Sequence, residues 1–401
     1  MIERKIYLKQ VLPFIDQDII KVITGMRRSG KSVFLQLIQN ELKRRGIEEN
    51  QFISLNLEDL ANEPLTEYHQ LHKYLLDRTK EINGTSYIFL DEIQKVPNWQ
   101  KAINSLRVTT NCDIYLTGSN SQLLSGELAT LIAGRYIEIK IYPFSFDEFL
   151  TAIDSPRTNL NSDFMNYVNI GGLPFLSRIY QDKIACQNYL TDIYNSVVLN
   201  DIVSRYSIRN VDLLQRIFGY LSSEIGHPIT ASKIQKYLKS ENRMPSLDTI
   251  LDYINYSTEA FLFQKVPRQE LRGKKSLKLN EKFYIMDHGL RNIILGNNQR
   301  DIDQVLENIV YIELKRRGYN VEIGINKNQE IDFVATKGNE KKYYQVTYLL
   351  ANESTITREF GAYNGVQDFY PKYVLSMDTF DFSRNGIIHH NIIDFLLETS
   401  K

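Results

Sequence analysis

The sequence predicts an α/β protein that opens with a parallel β-sheet and helical crossovers. Residues 1 to about 145 alternate short apolar runs with helical patterns, which is typical of such a sheet. The string GMRRSGKS at residues 25–32 lies between an apolar run and an amphipathic stretch, the context of a phosphate-binding loop. With 401 residues, the chain is long enough for two or three domains that each bury a core.

Five apolar runs are the predicted strands of this sheet. They are rich in Ile, Val, Leu, Phe or Tyr, as strands buried on both faces should be. In chain order they are IIKVIT (19–24), FISLNL (52–57), YIFLDE (87–92), DIYLTGS (113–119) and YIEIKIY (136–142). Pro143 is predicted to end the fifth strand because proline cannot donate to a sheet ladder.

Composition narrows the classes of protein. Lys plus Arg and Asp plus Glu both total 48, so nucleic-acid binding would need a local basic patch. The two cysteines, Cys112 and Cys186, predict neither a disulfide framework nor a metal site, which fits a reducing compartment. No apolar run approaches the roughly 20 residues of a membrane helix, and the N-terminus lacks a signal-peptide pattern. We therefore expect a cytoplasmic protein with no membrane partner.

GMRRSGKS fits the pattern GxxxxGK[ST]. Glycines in such a loop let backbone N–H groups surround phosphates at a helix N-terminus, where the helix dipole favours anions. We expect Lys31 to reach the β- and γ-phosphates and the Ser32 hydroxyl to ligate Mg²⁺. Arg27 and Arg28 either add charge at the phosphates or contact a neighbouring domain. The predicted nucleotide-binding residues are Gly25, Arg27, Arg28, Ser29, Gly30, Lys31, Ser32 and Val33.

An acidic pair ends the third predicted strand. Asp91 is expected to hold Mg²⁺, through water. Glu92 is expected to orient and deprotonate the attacking water, a role typically worth about 10²–10⁴-fold in rate. On its own, an acidic pair at a strand end is an ordinary feature. Beside a phosphate-binding loop it indicates nucleotide hydrolysis.

Two further positions complete the candidate site. The fourth strand ends in Thr117, Ser119 and Asn120, any of which can touch the γ-phosphate or the water, and we take Ser119 as the candidate. Arg135 precedes the fifth strand and is either a surface arginine or an arginine finger, which raises rates about 10³–10⁵-fold where it operates. Finger chemistry by Arg135 would require a homo-oligomer, because the finger completes a neighbour's site.

The order of GMRRSGKS, YIFLDEIQ, YLTGSNS, GRYIEIKIYPFSFDEF and GGLP resembles a family of predicted bacterial and archaeal AAA-type ATPases. These carry a C-terminal domain of unknown function, and the resemblance covers nearly the whole chain. It implies an ATP-binding core with strand order 5-1-4-3-2. It also implies that Lys31, Ser32, Asp91, Glu92 and Arg135 occupy the family's nucleotide-site positions. Because no NKxD string specifies guanine, we expect ATP as the nucleotide, together with Mg²⁺.

Four segments are predicted. They are a P-loop ATPase core (1–145), a helical lid or linker (146–207), a winged-helix-like domain (208–298) and a nuclease-like domain (299–401). In the third segment, three amphipathic helices precede a hairpin, and Thr230 is the expected N-cap of the second helix. Seven basic residues cluster there: Lys265, Arg268, Arg272, Lys274, Lys275, Lys278 and Lys282. Region 211–282 is therefore either a double-stranded DNA-binding surface or a solvated hairpin used for protein contacts.

The last segment resembles the α+β core of the PD-(D/E)xK nuclease-like, or restriction-endonuclease-like, fold. The resemblance suggests that Glu307, Asp332 and Gln345 hold a divalent metal through oxygen ligands. Thr347 stands where a lysine would polarise the scissile phosphate. A degenerate module that binds without cleaving is the preferred interpretation.

Three functions fit these motifs. The first is an AAA-type ATPase whose hydrolysis cycle changes the conformation of a DNA-associated C-terminal region. The second is a slow ATP-dependent switch that recruits a protein partner through the C-terminal half. The third, an ATP-coupled nuclease, is disfavoured by Thr347.

Overall fold

The structure is a computed structural model that describes residues 1–124, 134–241, 243–271, 276–296, 301–326 and 329–398. The chain forms two compact units. The first consists of Met1–Tyr142 with Glu259–Phe261, and the second of Pro143–Thr258 with Leu262–Lys401. In the described part of the chain, no helix has the length and apolar character that crossing a membrane requires.

The first unit is built on a five-stranded, all-parallel sheet. Its strands are β1 (Ile20–Thr24), β2 (Phe52–Asn56), β3 (Ser86–Asp91), β4 (Cys112–Gly118) and β5 (Tyr136–Lys140). The helices are α1 (Lys5–Val11), α2 (Lys31–Arg44), α3 (Tyr68–Lys80) and α4 (Trp99–Thr109). The spatial order is β2-β3-β4-β1-β5, which is the predicted order 5-1-4-3-2 counted from the other edge. The predicted α/β fold with its parallel sheet is confirmed.

The two faces of this sheet differ in character. One face is aliphatic and contributes to a core that includes Val22, Leu90, Leu116 and residues of α3 and α4. The other face carries aromatic rings and a buried ion pair between Lys21 and Asp113. The Tyr115 hydroxyl donates to the same aspartate at 2.8 Å, so the buried carboxylate keeps more than one partner. Burial on both sides explains why the central strands β1, β3 and β4 read as nearly continuous apolar runs.

The second unit combines helices with a seven-stranded mixed sheet. Its helices are α5 (Phe146–Ala152), α6 (Leu160–Ile170), α7 (Leu176–Ile179), α8 (Lys183–Ser196), α9 (Val211–Ser223), α10 (Ala231–Ser240), α11 (Leu247–Glu259), α12 (His288–Leu295), α13 (Ile302–Arg316), α14 (Glu353–Gly361) and α15 (Ile392–Leu397). A π-helical stretch, Val197–Ser204, continues α8. The strands are β6 (Phe263–Glu270), β7 (Ser276–Ile285), β8 (Asn320–Asn326), β9 (Gln329–Lys337), β10 (Glu340–Val346), β11 (Lys372–Ser376) and β12 (Ile388–Asn391).

The seven strands run in the order β12-β11-β10-β9-β8-β6-β7. The β6–β7 hairpin follows α9, α10 and α11, as the sequence predicts, and the Thr230 hydroxyl caps α10 by accepting from the Lys233 N–H at 3.1 Å. However, β6 also pairs in parallel with β8. The hairpin of the predicted winged-helix segment therefore shares one sheet with the predicted nuclease-like segment, and this pairing crosses the expected boundary at 298. The four-segment division stays a prediction.

Candidate nucleotide site

The phosphate-binding loop connects the end of β1 to the start of α2. Lys31 is the first residue of the helix, and Gly30 precedes it with a left-handed backbone. Gly25 has φ +146°, and a Cβ placed on it would lie 2.3 Å from the Ile141 carbonyl oxygen. The loop can pass this close to the end of the fifth strand only because residue 25 has no side chain.

A buried arginine outside the loop also contacts it. Arg4, 3% exposed, donates from Nη1 to the Ser29 carbonyl at 3.3 Å and from Nη2 to the Tyr142 carbonyl at 2.7 Å. Its guanidinium lies over the Tyr7 ring, 4.7 Å from the centroid. The sequence reasoning missed Arg4, because nothing in the local pattern ties residue 4 to a loop 25 positions later.

Lys31 faces the acidic end of β3. Its Nζ donates to the Met26 carbonyl at 3.2 Å and lies 3.7 Å from Glu92 Oε1. Glu92 follows the strand with φ +56°, an uncommon backbone conformation for a residue that is not glycine. Such conformations concentrate at functional sites, where the surrounding structure over-determines them.

Thr117 holds the acidic pair in place from the adjacent strand. Its hydroxyl donates to the Asp91 carboxylate and accepts from the Glu92 backbone N–H, the latter at 2.9 Å. Ser119 and Asn120, the other two polar residues at this strand end, are also buried. Because the Thr117 hydroxyl is already occupied by the acidic pair, Ser119 and Asn120 are the better candidates for a phosphate contact.

The remaining loop residues differ in exposure. Ser32 and Val33 at the first turn of α2 are exposed, so the Ser32 hydroxyl is accessible. Ser29 is buried, and Arg28 is exposed. Arg27 is partly exposed and lies 3.9 Å from Glu58 through Nη2 and Oε1, a contact outside the loop.

The structure places Arg135 away from this cluster. Its carbonyl accepts from the Ile20 N–H at 2.8 Å, so it lies beside the start of β1, whereas the loop follows the end of that strand. The five residues of β1 separate the two by roughly 16 Å. Its guanidinium instead donates to Asn104 Oδ1 on α4 at 2.8 Å. Within one chain, Arg135 is therefore not part of the nucleotide site.

Gln94 is a polar residue at the site that the sequence reasoning gave no role. It lies two residues beyond Glu92, and its Nε2 donates to the Glu92 carboxylate. The same nitrogen lies 3.4 Å from Ser119 Oγ. Its place in the string DEIQ was the available signal, but local spacing could not show which strand end it approaches.

The basic hairpin differs from the expectation for a phosphate-contacting surface. Lys265 pairs with Glu281 at 2.8 Å, and Arg268 lies 3.5 Å from Glu330. Lys282 is 2% exposed, so the prediction that it contributes to a DNA-binding surface is wrong, because it lies inside the second unit. Arg272, Lys274 and Lys275 lie outside the described residues, as does the Lys278 side chain.

Lys282 lies among the carboxylates of the nuclease-like segment. Its Nζ is 2.7 Å from Glu330 Oε1, 3.2 Å from Glu307 Oε1 and 3.9 Å from Asp332 Oδ1. Although burial by itself lowers the pKa of the Lys282 ammonium, these carboxylates raise it above the usual lysine value. Burial and the Glu307 charge raise the pKa of Asp332 well above its ordinary range.

The proposed metal-ligand oxygens of this segment already have protein partners. Glu307 Oε1 accepts from the Tyr284 hydroxyl at 2.5 Å, and Asp332 Oδ2 accepts from the Val346 N–H at 2.9 Å. Gln345 Oε1 accepts from the Asp332 N–H at 3.1 Å. Over the described ranges, no group of three or more His, Cys, Asp or Glu side chains is arranged to hold a metal ion. Thr347 is buried, and the cation that lies beside these carboxylates is Lys282 from β7.

Comparisons with known proteins agree with the architecture of the first unit. A protein of Haemophilus influenzae described as uncharacterized is 38% identical over 401 residues, which is 99% of each chain. The profile of the AAA domain matches residues 17–150. The chain belongs to this family of AAA-domain proteins. A second profile, a domain of unknown function (DUF8612), matches residues 161–301.

The family extends to archaea. An uncharacterized protein of Methanocaldococcus jannaschii is 32% identical over 397 residues, covering 90% of this chain and 86% of the relative. Among solved structures, the Walker-type ATPase PABY2304 of Pyrococcus abyssi is similar, with a TM-score of 0.52 and 14% identity. It covers 73% of this chain and 96% of its own. At this identity the similarity shows a shared fold.

Proposed function

We propose that this protein binds ATP at the Gly25–Ser32 loop and hydrolyses it to ADP and phosphate. The observation that carries the proposal is the 3.7 Å approach of Lys31 Nζ to Glu92 Oε1. Two residues that are 61 positions apart in the sequence, one from the loop and one from the acidic strand end, meet at a single point. A phosphate-binding cation and a candidate general base are thus within one site.

The donor set also suits Mg²⁺. The exposed Ser32 hydroxyl and the Asp91 carboxylate are oxygen ligands of the kind that Mg²⁺ accepts, directly or through water. Bound there with ATP, the ion would neutralise charge on the β- and γ-phosphates. Lys31 would hold the same phosphates, and Glu92 would take the proton of the attacking water as the bond between the γ-phosphorus and ADP breaks.

Steady-state hydrolysis with Mg²⁺ tests this assignment. Lys31→Ala should lose most ATP binding, because the cation that contacts the phosphates is removed. Glu92→Gln should keep binding and lose turnover by about 10²-fold or more, because the amide cannot accept the proton. Unchanged hydrolysis in both variants would show that the chemistry is elsewhere.

One observation favours recruitment of a protein partner by the C-terminal half, rather than binding of DNA. The third helix of the predicted winged helix, α11, exposes Leu247 and Leu251, and Met244 just before it is 78% exposed. Asp248 and Asp252 on the same helix are exposed as well. An apolar, acidic helix face suits a protein surface better than a phosphate backbone.

A duplex-DNA titration against salt separates these outputs. A protein-recruiting switch should show slow turnover that DNA does not change, and weak DNA binding at low salt. DNA-stimulated hydrolysis with steep salt dependence would favour the DNA-coupled cycle instead. DNA binding would then be assigned to the basic residues Arg272, Lys274, Lys275 and Lys278 of the sequence.

A further inference from the structure

Gln94 connects the two strand ends that carry the candidate base and the candidate phosphate contact. It lies in a short turn, Ile93–Lys95, directly after Glu92. Its side-chain Nε2 carries two protons. The nitrogen donates to Glu92 Oε2 and lies 3.4 Å from Ser119 Oγ.

The space that holds the Gln94 amide lies beside Gly118. A Cβ at residue 118 would lie 2.8 Å from Gln94 Oε1 and 2.7 Å from the Leu123 side chain. The missing side chain therefore leaves the space that the amide fills. The amide orientation is set by charge, because the reverse orientation would place its oxygen against the Glu92 carboxylate.

The contacts give the two oxygens of Glu92 different roles. Oε2 is held by Gln94, whereas Oε1 faces Lys31 Nζ at 3.7 Å. When Lys31 turns to a phosphate, Oε1 becomes the oxygen that can accept a proton from water. Ser119 Oγ is the acceptor in its contact with Gln94, which leaves its own O–H available to donate to a phosphate oxygen.

We propose that Gln94 is a positioning residue that fixes the Glu92 carboxylate and the Ser119 hydroxyl as one group for hydrolysis. The inference rests on the proposed ATPase function. Gln94 does not touch the nucleotide; it acts through Glu92 and Ser119. Its loss therefore affects the chemical step and leaves ATP binding unchanged, since Lys31 and the loop make the binding contacts.

The test replaces Gln94 by methionine, which keeps the length of the side chain and removes its donors. Gln94→Met should lower kcat for Mg-ATP by about 10- to 100-fold, with KM within about threefold, a fraction of what general-base help is worth. Glu92→Gln and the double variant complete a cycle. The double variant should lose less than the two single losses combined, because part of the effect of Gln94 passes through the Glu92 carboxylate.

Two further variants keep the test decisive. Gly118→Ala keeps the Gln94 side chain but places a methyl group 2.8 Å from its Oε1 and 2.7 Å from Leu123, so it should also lower kcat. Gln39→Met is the matched control, because Gln39 donates to the Ser54 hydroxyl at 2.9 Å in the same unit but outside the site. It should hydrolyse ATP as the wild type does.

The outcomes separate this inference from the proposed function. If Glu92→Gln abolishes turnover but Gln94→Met keeps the wild-type kcat, the role of Gln94 is refuted and the ATPase assignment stands. A change in KM without a change in kcat, or additive losses in the double variant, also refutes it. If Lys31→Ala and Glu92→Gln both keep full turnover, the proposed function itself fails.

Discussion

The Thr117 hydroxyl donates a hydrogen bond to the Asp91 carboxylate, and the two residues lie at the ends of adjacent parallel strands. Thr117 is fully buried, and the same hydroxyl accepts from the Glu92 N–H. One side chain thus fixes both members of the acidic pair. Thr117 is therefore expected to set the geometry of the site, and Ser119 to make the contact with phosphate.

Thr117→Val tests this arrangement, because valine has the same shape and no hydroxyl. We expect ATP turnover to fall by roughly tenfold or more and the free energy of unfolding to fall by about 1–3 kcal/mol, since the Asp91 carboxylate and the Glu92 N–H lose a buried partner. Hydrolysis assays and denaturation give the two values. Thr117→Ser should restore turnover. A Val variant with wild-type kinetics would contradict the arrangement.

Gly25→Ala should disrupt the phosphate-binding loop. Its methyl group would lie 2.3 Å from the Ile141 carbonyl oxygen, so the loop or the segment after β5 must move. ATP affinity, measured by equilibrium binding, should fall at least about tenfold. Gly219→Ala is the control, because a Cβ there contacts nothing within 4 Å and its helix gains about 0.5–1 kcal/mol. Equal affinities in the two variants would contradict the loop geometry.

Arg135→Ala should leave ATP affinity unchanged, because β1 separates Arg135 from the loop of the same chain by roughly 16 Å. If Arg135 is a finger, turnover per chain in the wild type rises with protein concentration as chains assemble, and the variant loses this rise. Sedimentation gives the oligomeric state and a hydrolysis assay gives the turnover, both over the same range of protein concentration. Full turnover by a monomer would remove the finger role.

Lys282→Met should destabilise the second unit by about 3–5 kcal/mol, because it leaves the Glu307 and Glu330 carboxylates without the buried ammonium that pairs with them. Circular dichroism during denaturation measures the change. Lys265→Met removes a lysine that is 44% exposed and paired with Glu281, so it should cost at most about 1 kcal/mol. Equal losses of stability in the two variants would contradict the role of Lys282 as a buried counter-charge.

The same cluster predicts no nuclease activity. Plasmid DNA incubated with the protein and Mg²⁺ or Mn²⁺ should remain intact, because the oxygens of Glu307, Asp332 and Gln345 already have protein partners. Cleavage that disappears in Asp332→Ala would overturn this expectation and restore the third function.

Protonation of His288 should lower the free energy of unfolding in mild acid. Burial lowers its pKa below the ordinary value of 6.5, and Arg316 acts in the same direction, although Asp287 opposes them. The unfolded chain then binds the proton more readily, so the His288 contribution is complete above pH 6.5 and is lost as the pH falls towards the folded-state pKa. The loss is at most about 1.4 kcal/mol per pH unit. Denaturation at pH 7.5 and 5.5 should show a smaller difference in His288→Gln than in the wild type.

Local sequence was sufficient to recognise the strands and the phosphate-binding loop of the first unit. Residues such as Val22 and Leu90 belong to strands buried on both faces, which produces unbroken apolar runs that can be recognised one at a time. Likewise, GMRRSGKS can be recognised by itself, because its glycines, Lys31 and Ser32 lie within eight consecutive residues. Asp91 and Glu92 were recognisable because carboxyl ends of parallel strands meet at one edge of the sheet.

Only the tertiary structure decided which distant side chains meet. Arg4 contacts the loop from 25 residues away, and Gln94 reaches Ser119 across two strand ends. Lys282 looked like one more exposed base in a charged hairpin, yet it is buried because β6 pairs with β8 and brings the hairpin into the C-terminal sheet. Strand pairing and long-range burial depend on the whole chain, so composition and spacing near residue 282 could not reveal them.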